Sequence, residues 1–176
     1  MVRDFRGQRL GTILLAIGAI DAGDDAHAAL FARARDLPFG EACVRLGLAK
    51  EPAVVRALSL QTGAPSVSIG EFRPDDSLKR LLPGWLARRH RVLPLAHVAA
   101  GTGKGKLIVA LSRPNDVALL DELAFVTGCR IAPVVAADSD LDQALIDVYG
   151  AAPFDARTRV DLGRGPGIDH VVARYF

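Results

Sequence analysis

The sequence predicts an α+β fold, with a helical layer of about four helices followed by a small α/β domain that holds a three-stranded mixed sheet. Two observations predict this fold. A pattern of apolar residues and glycines near the start of the chain recurs after 29 positions, and strand-like runs later alternate with amphipathic stretches. We expect a helical repeat subdomain at residues 1–65, a small α/β subdomain at 66–150 and a C-terminal tail at 151–176.

The helical layer is predicted from two copies of a 24-residue pattern, at residues 9–32 and 38–61. In each copy, apolar residues at i, i+3, i+4 and i+7 form one stripe of a helix. Gly18 or Gly47 then ends that helix, because glycine adopts the left-handed conformation without a steric penalty, and a second amphipathic helix follows. Two such hairpins bury their stripes most simply against each other. Chance similarity between two amphipathic hairpins is the alternative, since few positions are identical.

The α/β half begins after a stretch rich in Gly, Pro and Ser at residues 62–76, which predicts a connection. Apolar runs predict strands at residues 91–98, 106–111 and 129–135. Helices are expected at residues 78–82, 85–90 and 115–127, with a last helix from Ser139 or Asp140, as its cap, to about Gly150. The order β-β-α-β-α predicts a hairpin followed by one right-handed crossover.

Composition limits the function classes. Of the 176 residues, 50% are hydrophobic and 24% are charged, which suffices for a core, and the net charge of +2 is too small to indicate a polyanionic partner. No run of about 18 apolar residues predicts a membrane span. Arginines before the apolar stretch at residues 10–20 resemble a signal peptide, but Asp4 and two glycines disfavour that interpretation. We therefore expect a cytoplasmic protein.

No chemical motif predicts an enzyme. The run GTGKGK at residues 101–106 lacks the first glycine, the spacing and the hydroxyl of a phosphate loop, and Leu107 begins a strand rather than a helix. Cys43 and Cys129 occupy apolar positions and are expected to be buried, reduced thiols. The four histidines show no metal-ligand spacing. We expect no catalytic residues, no metal and no cofactor.

Two further segments leave alternatives open. A basic cluster surrounds Trp85 and is either a solvated face or a patch for an acidic partner or nucleic acid; its members are Lys79, Arg80, Arg88, Arg89, His90 and Arg91. Because RNA-type aromatic motifs are missing, no nucleic acid partner is expected. The tail at residues 151–176 is either a flexible segment or one with a docking end, VVARYF.

The repeat resembles the tandem motif in the N-terminal domain of type II secretion and type IV pilus assembly ATPases, known in one branch as the MshEN cyclic di-GMP receptor domain. That motif runs Arg-Leu-Gly, two apolar residues, Gly, two apolar residues, and then Leu, Leu and Gln. The resemblance implies ligand-binding roles for Arg9, Leu10, Gly11, Leu14, Gly18, Phe39, Gly40, Gly47 and Gln61.

Each copy departs from the motif. Copy one has Asp25, Ala29 and Ala32 where the family has Leu, Leu and Gln, and copy two has Pro38 in place of the arginine. The resemblance implies that this arginine meets a phosphate or a guanine edge of the ligand. Copy two would therefore lack one charged contact.

The second half resembles the same family over RVLPLAHV, LIVALSRPNDVALLDEL and GCRIAPVVAADSDLDQALIDVYG. The family carries its motor on a separate C-terminal domain, and we expect this chain to lack it. The resemblance implies a non-enzymatic regulatory or adaptor module for a protein partner of a secretion, pilus or related regulatory system. The alternative is a cyclic di-GMP receptor with weak or lost binding, and an enzyme ranks last.

Overall fold

The computed structural model describes residues 4–70, 72–99 and 104–150. The predicted tail at 151–176 and residues 100–103 of the predicted hairpin loop lie outside the described residues. The elements in chain order are α1 Leu10–Ala16, α2 Ala22–Arg35, α3 Phe39–Arg45, α4 Glu51–Thr62, α5 Asp76–Leu81, α6 Gly84–His90, β1 Leu93–Val98, β2 Lys106–Leu111, α7 Val117–Thr127, β3 Arg130–Val135 and α8 Asp138–Tyr149. The predicted α+β fold with a helical layer and a three-stranded mixed sheet is confirmed.

In the helical layer, the helices of the two motif copies pack mainly against each other. The first helix of each copy packs on the second helix of the other, so α1 lies against α4 and α2 lies against α3. The predicted glycine turns are confirmed, because Gly18 and Gly47 have φ of +70° and +71°. Together the helices enclose a core of their own, which contains Ile13, Leu14, Ile20, Ala28, Cys43, Ala49, Val54 and Ala57.

Gly40 lies where α3 comes closest to its neighbours. A Cβ at this position would lie 2.6 Å from Val54 Cγ1 and 3.2 Å from Leu10 Cδ2. The first contact is with the second helix of its own copy, and the second is with the first helix of the other copy. The branched side chain of Val54 is buried, so it has little room to move aside. Helix packing therefore requires glycine at position 40.

Gly11 makes the corresponding contacts in copy one. A Cβ there would overlap Asp25 Oδ1 and would lie 3.2 Å from Phe39 Cζ. Asp25 and Phe39 occupy the motif positions of Val54 and Leu10, so the two glycines sit in equivalent environments around an approximate twofold relation between the copies. This reciprocity is the structural counterpart of the sequence repeat.

The α/β layer forms one sheet in the order β1-β2-β3. β1 pairs antiparallel with β2, with an irregularity between Pro94 and Ala96, and β2 pairs parallel with β3 through α7. An isolated parallel bridge joins Ser66 to Val135, so part of the segment predicted as a connection extends the sheet. A second core lies between this sheet and its helices, with Leu86, Leu93, Leu107, Leu123 and Leu141 among its buried members.

Several predicted boundaries were displaced by backbone conformation. β1 begins at Leu93 rather than at residue 91, because Arg91 ends α6 with φ of +54°. The predicted cap of α7 at Asp116 is confirmed, since its side chain accepts a hydrogen bond from the Leu119 N–H at 3.1 Å. Gly128 ends that helix in the left-handed conformation, so β3 begins at Arg130.

The predicted start of α8 at Ser139 or Asp140 was wrong. The helix begins at Asp138, and its N-cap residue is Ala137, which has no capping side chain. Asp140 lies inside the first turn, where its carboxylate accepts a hydrogen bond from the Ile69 N–H at 3.2 Å. It therefore holds the chain between the layers to α8 instead of capping the helix.

Polar contacts join the two layers. Glu51 Oε1, at the start of α4, accepts a hydrogen bond from the Ser139 N–H at 3.0 Å, and Glu51 Oε2 accepts one from the Ser139 hydroxyl. This carboxylate supplies α8 with the cap that Ala137 cannot provide. Each layer has its own apolar core, but separate folding of residues 1–65 and 66–150 stays a prediction.

The contact at Gly40 predicts a clear effect on stability. Gly40→Ala should lower the free energy of unfolding by about 1–3 kcal/mol, because the new methyl group overlaps the buried Val54 side chain. Gly23→Ala in α2 is the matched control. A Cβ there meets no atom within 4 Å, so we expect that variant to be unchanged or more stable by up to about 1 kcal/mol. Urea denaturation followed by circular dichroism measures both, and equal stability of the two variants would contradict the packing argument.

Candidate functional site

A cleft of about 590 Å³ opens between the two layers. One side is formed by α3 and α4 of the second motif copy, and the other by the end of α6 and the segments that follow β2 and β3. β2 and β3 are parallel, so the cleft lies at their carboxyl ends, where ligands commonly bind in α/β sheets. Its apolar lining comes mainly from the helical layer and comprises Leu10, Leu37, Pro38, Phe39, Val44, Val54, Val55 and Leu58.

The cleft gathers only some of the residues that the sequence singled out. Leu10, Phe39 and Gly40 line it, whereas the other six predicted site residues do not. Leu14 is fully buried in the helical core, and Gly18 and Gly47 form the turns. Gly11 is buried against Asp25, whose carboxylate would have to move aside for a side chain at this position. The ligand-binding roles of these residues stay predictions.

Arg9 and Pro38 occupy equivalent places. Both are N-cap residues of the first helix of their copy, with φ and ψ of −65° and 141° for Arg9 and −57° and 143° for Pro38. Arg9 is exposed, and among the described residues its guanidinium has no hydrogen-bond or ion-pair partner. Copy one therefore presents a free cation where copy two presents none, on the same backbone geometry.

Gln61 is held by the protein itself. Its Nε2 donates to the Gln8 carbonyl at 2.7 Å, and its Oε1 accepts from Asn115 Nδ2 at 3.1 Å. These bonds tie the end of α4 to the segment before α1 and to the segment after β2. The corresponding residue in copy one, Ala32, is buried and cannot form such bonds. Gln61 thus has a positioning role whether or not it meets a ligand.

Most charges in the cleft are paired. Arg91 donates from Nε to Asp142 Oδ1 at 2.8 Å and lies 3.2 Å from Asp138 Oδ1 through Nη1. The hydrogen bond to Asp142 raises the pKa of Arg91 above its ordinary value, and burial opposes that shift. On the opposite wall, Arg45 pairs with Glu41 at 2.6 Å. These pairs fix the cleft walls and leave few charges for a ligand.

Two arginines of the α/β wall are available to an incoming group. Arg89 is exposed and has no hydrogen-bond or ion-pair partner within the part of the chain that the structure describes. The side chain of Arg113 is 50% exposed, and its Nη1 lies 3.7 Å from Asp116 Oδ2, a long contact with a carboxylate that also caps α7. Sequence reasoning placed Arg89 in a general basic cluster and missed Arg113, because no local signal places either residue beside α3 and α4.

Copy one carries negative charge close to its glycine. Asp24 accepts a hydrogen bond from the Asp21 N–H at 2.9 Å, and Asp25 lies against Gly11. Burial, with the charges of Asp25 and Asp24 acting in the same direction, raises the pKa of the Cys43 thiol to about 11. The surroundings of Gly11 therefore disfavour an anion. Both cysteines are buried and free, as predicted.

The described residues contain no group of three or more His, Cys, Asp and Glu side chains placed to hold a metal ion. Leu107 lies in β2, which pairs antiparallel with β1, so the glycine-rich run precedes a strand, as predicted, and not a helix. Within the same part of the chain, no helix is long and apolar enough to cross a membrane.

Comparison with known proteins gives consistent matches. The MshEN domain profile matches residues 62–154, just over half of the chain. The type IV pilus assembly ATPases PilB of Myxococcus xanthus and of Acinetobacter baylyi are 27% and 26% identical over 133 and 97 residues, which are 76% and 54% of this chain. Those stretches are 20% and 16% of the two ATPases, so the chain spans about a fifth of their length or less.

Solved structures share the fold. A structure of MshE with cdg has a TM-score of 0.67 at 23% identity and covers 81% of this chain and 99% of that one. The N-terminal domain of XpsE has a TM-score of 0.66 at 18% identity and covers 85% of this chain and 100% of that one. The profile match begins where α4 ends, so it rests on the α/β layer, whereas the MshE and XpsE structures extend the likeness to most of the chain.

The Cys43 thiol predicts a pH dependence of stability. Because its pKa rises from 9.0 to about 11 on folding, the stability from keeping the thiol neutral is complete below pH 9 and is lost as pH rises through about 11. That loss should be on the order of 1–3 kcal/mol. Urea denaturation at several pH values should show a steeper decline for the natural protein than for Cys43→Ala. Parallel declines would show that the thiol does not titrate in this range.

Proposed function

The chain belongs to the MshEN domain family, and on that premise we propose that it is a non-enzymatic regulatory or adaptor module that binds a protein partner in the cleft between its layers. The observation that carries this proposal is the apolar lining contributed by copy two. Phe39, Val55 and Leu58 are half-buried and line the open cleft, while Phe39 and Leu58 also pack against the core of the helical layer. Apolar side chains left in a groove of this kind are typical of an interaction surface.

The non-enzymatic part of the proposal is supported by the pairing of the charged side chains in the cleft. Arg91, Asp138 and Asp142 are engaged with one another, and Glu51 is engaged with Ser139. Groups held in this way stabilise structure and are poorly placed to move protons. The matched relatives are ATPases, but the match covers only a small share of their length.

The relatives also suggest where the partner belongs. PilB is a type IV pilus assembly ATPase, so we propose that the partner is a component of a pilus, secretion or related regulatory system and that binding takes place in the cytoplasm. In this proposal the chain recognises the partner and does not itself catalyse a reaction.

A second candidate function is binding of cyclic di-GMP, which is how we interpret cdg in the MshE structure. The free guanidinium of Arg9 favours it, because a planar cation suits a phosphate or a guanine edge. Three features oppose tight binding: Pro38 supplies no cation, Asp25 places a carboxylate beside Gly11, and Gln61 is occupied by the protein's own hydrogen bonds. We therefore rank this function second.

The proposed cleft interaction can be tested by photo-crosslinking in cells. A photoreactive phenylalanine analogue at position 55, which lines the cleft, should give one discrete adduct with a partner protein. The same analogue at Leu30, which is 68% exposed and lies outside the cleft, is the control and should give none. No adduct from position 55, or equal adducts from both positions, would contradict the proposal.

Calorimetric titration with cyclic di-GMP tests the second candidate. We expect weak binding or none, because one charge-assisted contact of about 1.5–3 kcal/mol is missing. Pro38→Arg should strengthen binding by about tenfold to a hundredfold, since the backbone there already matches that of Arg9. Arg9→Ala should abolish any binding that exists, whereas Arg33→Ala, on the exposed end of α2, should not. Tight binding that does not depend on Arg9 would show that the motif roles do not apply to this chain.

A further inference from the structure

We propose that the segment of the partner held in the cleft is an amphipathic helix whose acidic side chains pair with Arg89 and Arg113. This inference rests on the proposed function and specifies the chemistry of the partner. It follows from the distribution of apolar surface and of unpaired charge in the cleft.

The apolar surface has the form that receives a helix. Phe39 and Val44 come from α3, and Val54, Val55 and Leu58 come from α4, so the surface is a groove between two helices. Amphipathic helices bind such grooves through apolar residues at i, i+3, i+4 and i+7. Val55 and Leu58, which are both half-buried, are spaced i, i+3 on α4 and therefore lie on the same side of that helix along the groove.

The charges of the cleft restrict what can lie above that surface. Four of the five carboxylates in the lining already have partners: Asp138 and Asp142 pair with Arg91, Glu41 pairs with Arg45, and Glu51 accepts from Ser139. The fifth, Asp36, lies at the end of α2.

Of the four arginines in the lining, Arg45 and Arg91 are the partners of these carboxylates, and Arg89 and Arg113 lack a close partner in the described part of the chain. Arg89 has no partner among the described residues, and Arg113 has only the contact of 3.7 Å to Asp116. Arginines without a close partner beside an apolar groove favour carboxylates, which they can bind with two parallel hydrogen bonds. Both lie on the α/β wall, opposite the apolar surface. An occupant must therefore be apolar on one face and acidic on the neighbouring edge.

A helix meets these requirements better than a phosphodiester ligand. Five carboxylates line the cleft, and even paired carboxylates repel a compact dianion. A helix can place its acidic residues only on the edge that faces Arg89 and Arg113 and can present neutral residues elsewhere. Because the cleft walls carry both positive and negative side chains, they favour a partner whose acidic residues lie on one edge only.

Two synthetic peptides of equal length test this inference. Both carry Leu at i, i+3, i+4 and i+7, and the flanking positions are Glu in one and Lys in the other. Fluorescence anisotropy with the full chain should show that the Glu peptide binds at least about tenfold more tightly, as expected for one charge-assisted contact. The double variant Arg89→Glu, Arg113→Glu should reverse this preference, and Arg33→Glu should not change it. Both arginines of the pair are largely exposed, so their substitution should leave the circular dichroism spectrum unchanged.

The same double variant links the inference to the natural partner. It should reduce the yield of the cross-link from position 55 by about tenfold or more. An unchanged yield would overturn the acidic-helix inference and leave the proposed function standing, whereas a missing adduct in the natural sequence would refute the proposed function itself. Three other results would also overturn the acidic-helix inference. The two peptides could bind equally, neither could bind, or cyclic di-GMP could displace the Glu peptide at a lower concentration than the peptide itself requires.

Discussion

The reciprocal contact around Gly11 and Gly40 is the constraint on which the helical layer depends. Each glycine lies against the second helix of its own copy and the first helix of the other, so neither hairpin can form its half of the core alone. At Gly40 the contact with buried Val54 leaves no space for a Cβ, so it fixes the distance between the helices. That distance sets the position of α4, and α4 supplies one side of the cleft and the carboxylate that caps α8.

The two copies have diverged around this shared frame. In copy one the position facing the glycine is Asp25, and its negative charge acts together with burial on the Cys43 thiol. In copy two the same position is Val54, which continues into the apolar surface of the cleft. Both copies pack around their glycines, and in the proposed function the apolar surface of copy two also serves recognition. The loss of arginine at position 38 fits this role, because copy two offers apolar surface and not charge.

The cleft itself is a product of how the layers meet. The apolar cores of the two layers are separate, and hydrogen bonds of Glu51 and Gln61 join them across the boundary. Polar contacts of this kind fix an orientation while leaving a gap that side chains do not fill. The carboxyl ends of β2 and β3 form the opposite wall, so the site combines a helical groove with the usual binding edge of a parallel strand pair.

Local sequence determined the elements and their order. Apolar periodicity and left-handed glycines such as Gly18 act within a few residues, so the helical hairpins, the strand order and the antiparallel pairing before the crossover could be predicted from the chain alone. The predicted helix boundary was wrong where a residue distant in sequence caps the helix. Ala137 gives no capping signal, because the cap of α8 is Glu51, 88 residues away in sequence. The tertiary structure alone decided that Arg89 and Arg113 line the same cleft as the apolar positions of copy two, since juxtaposition across two layers depends on packing and not on spacing along the chain.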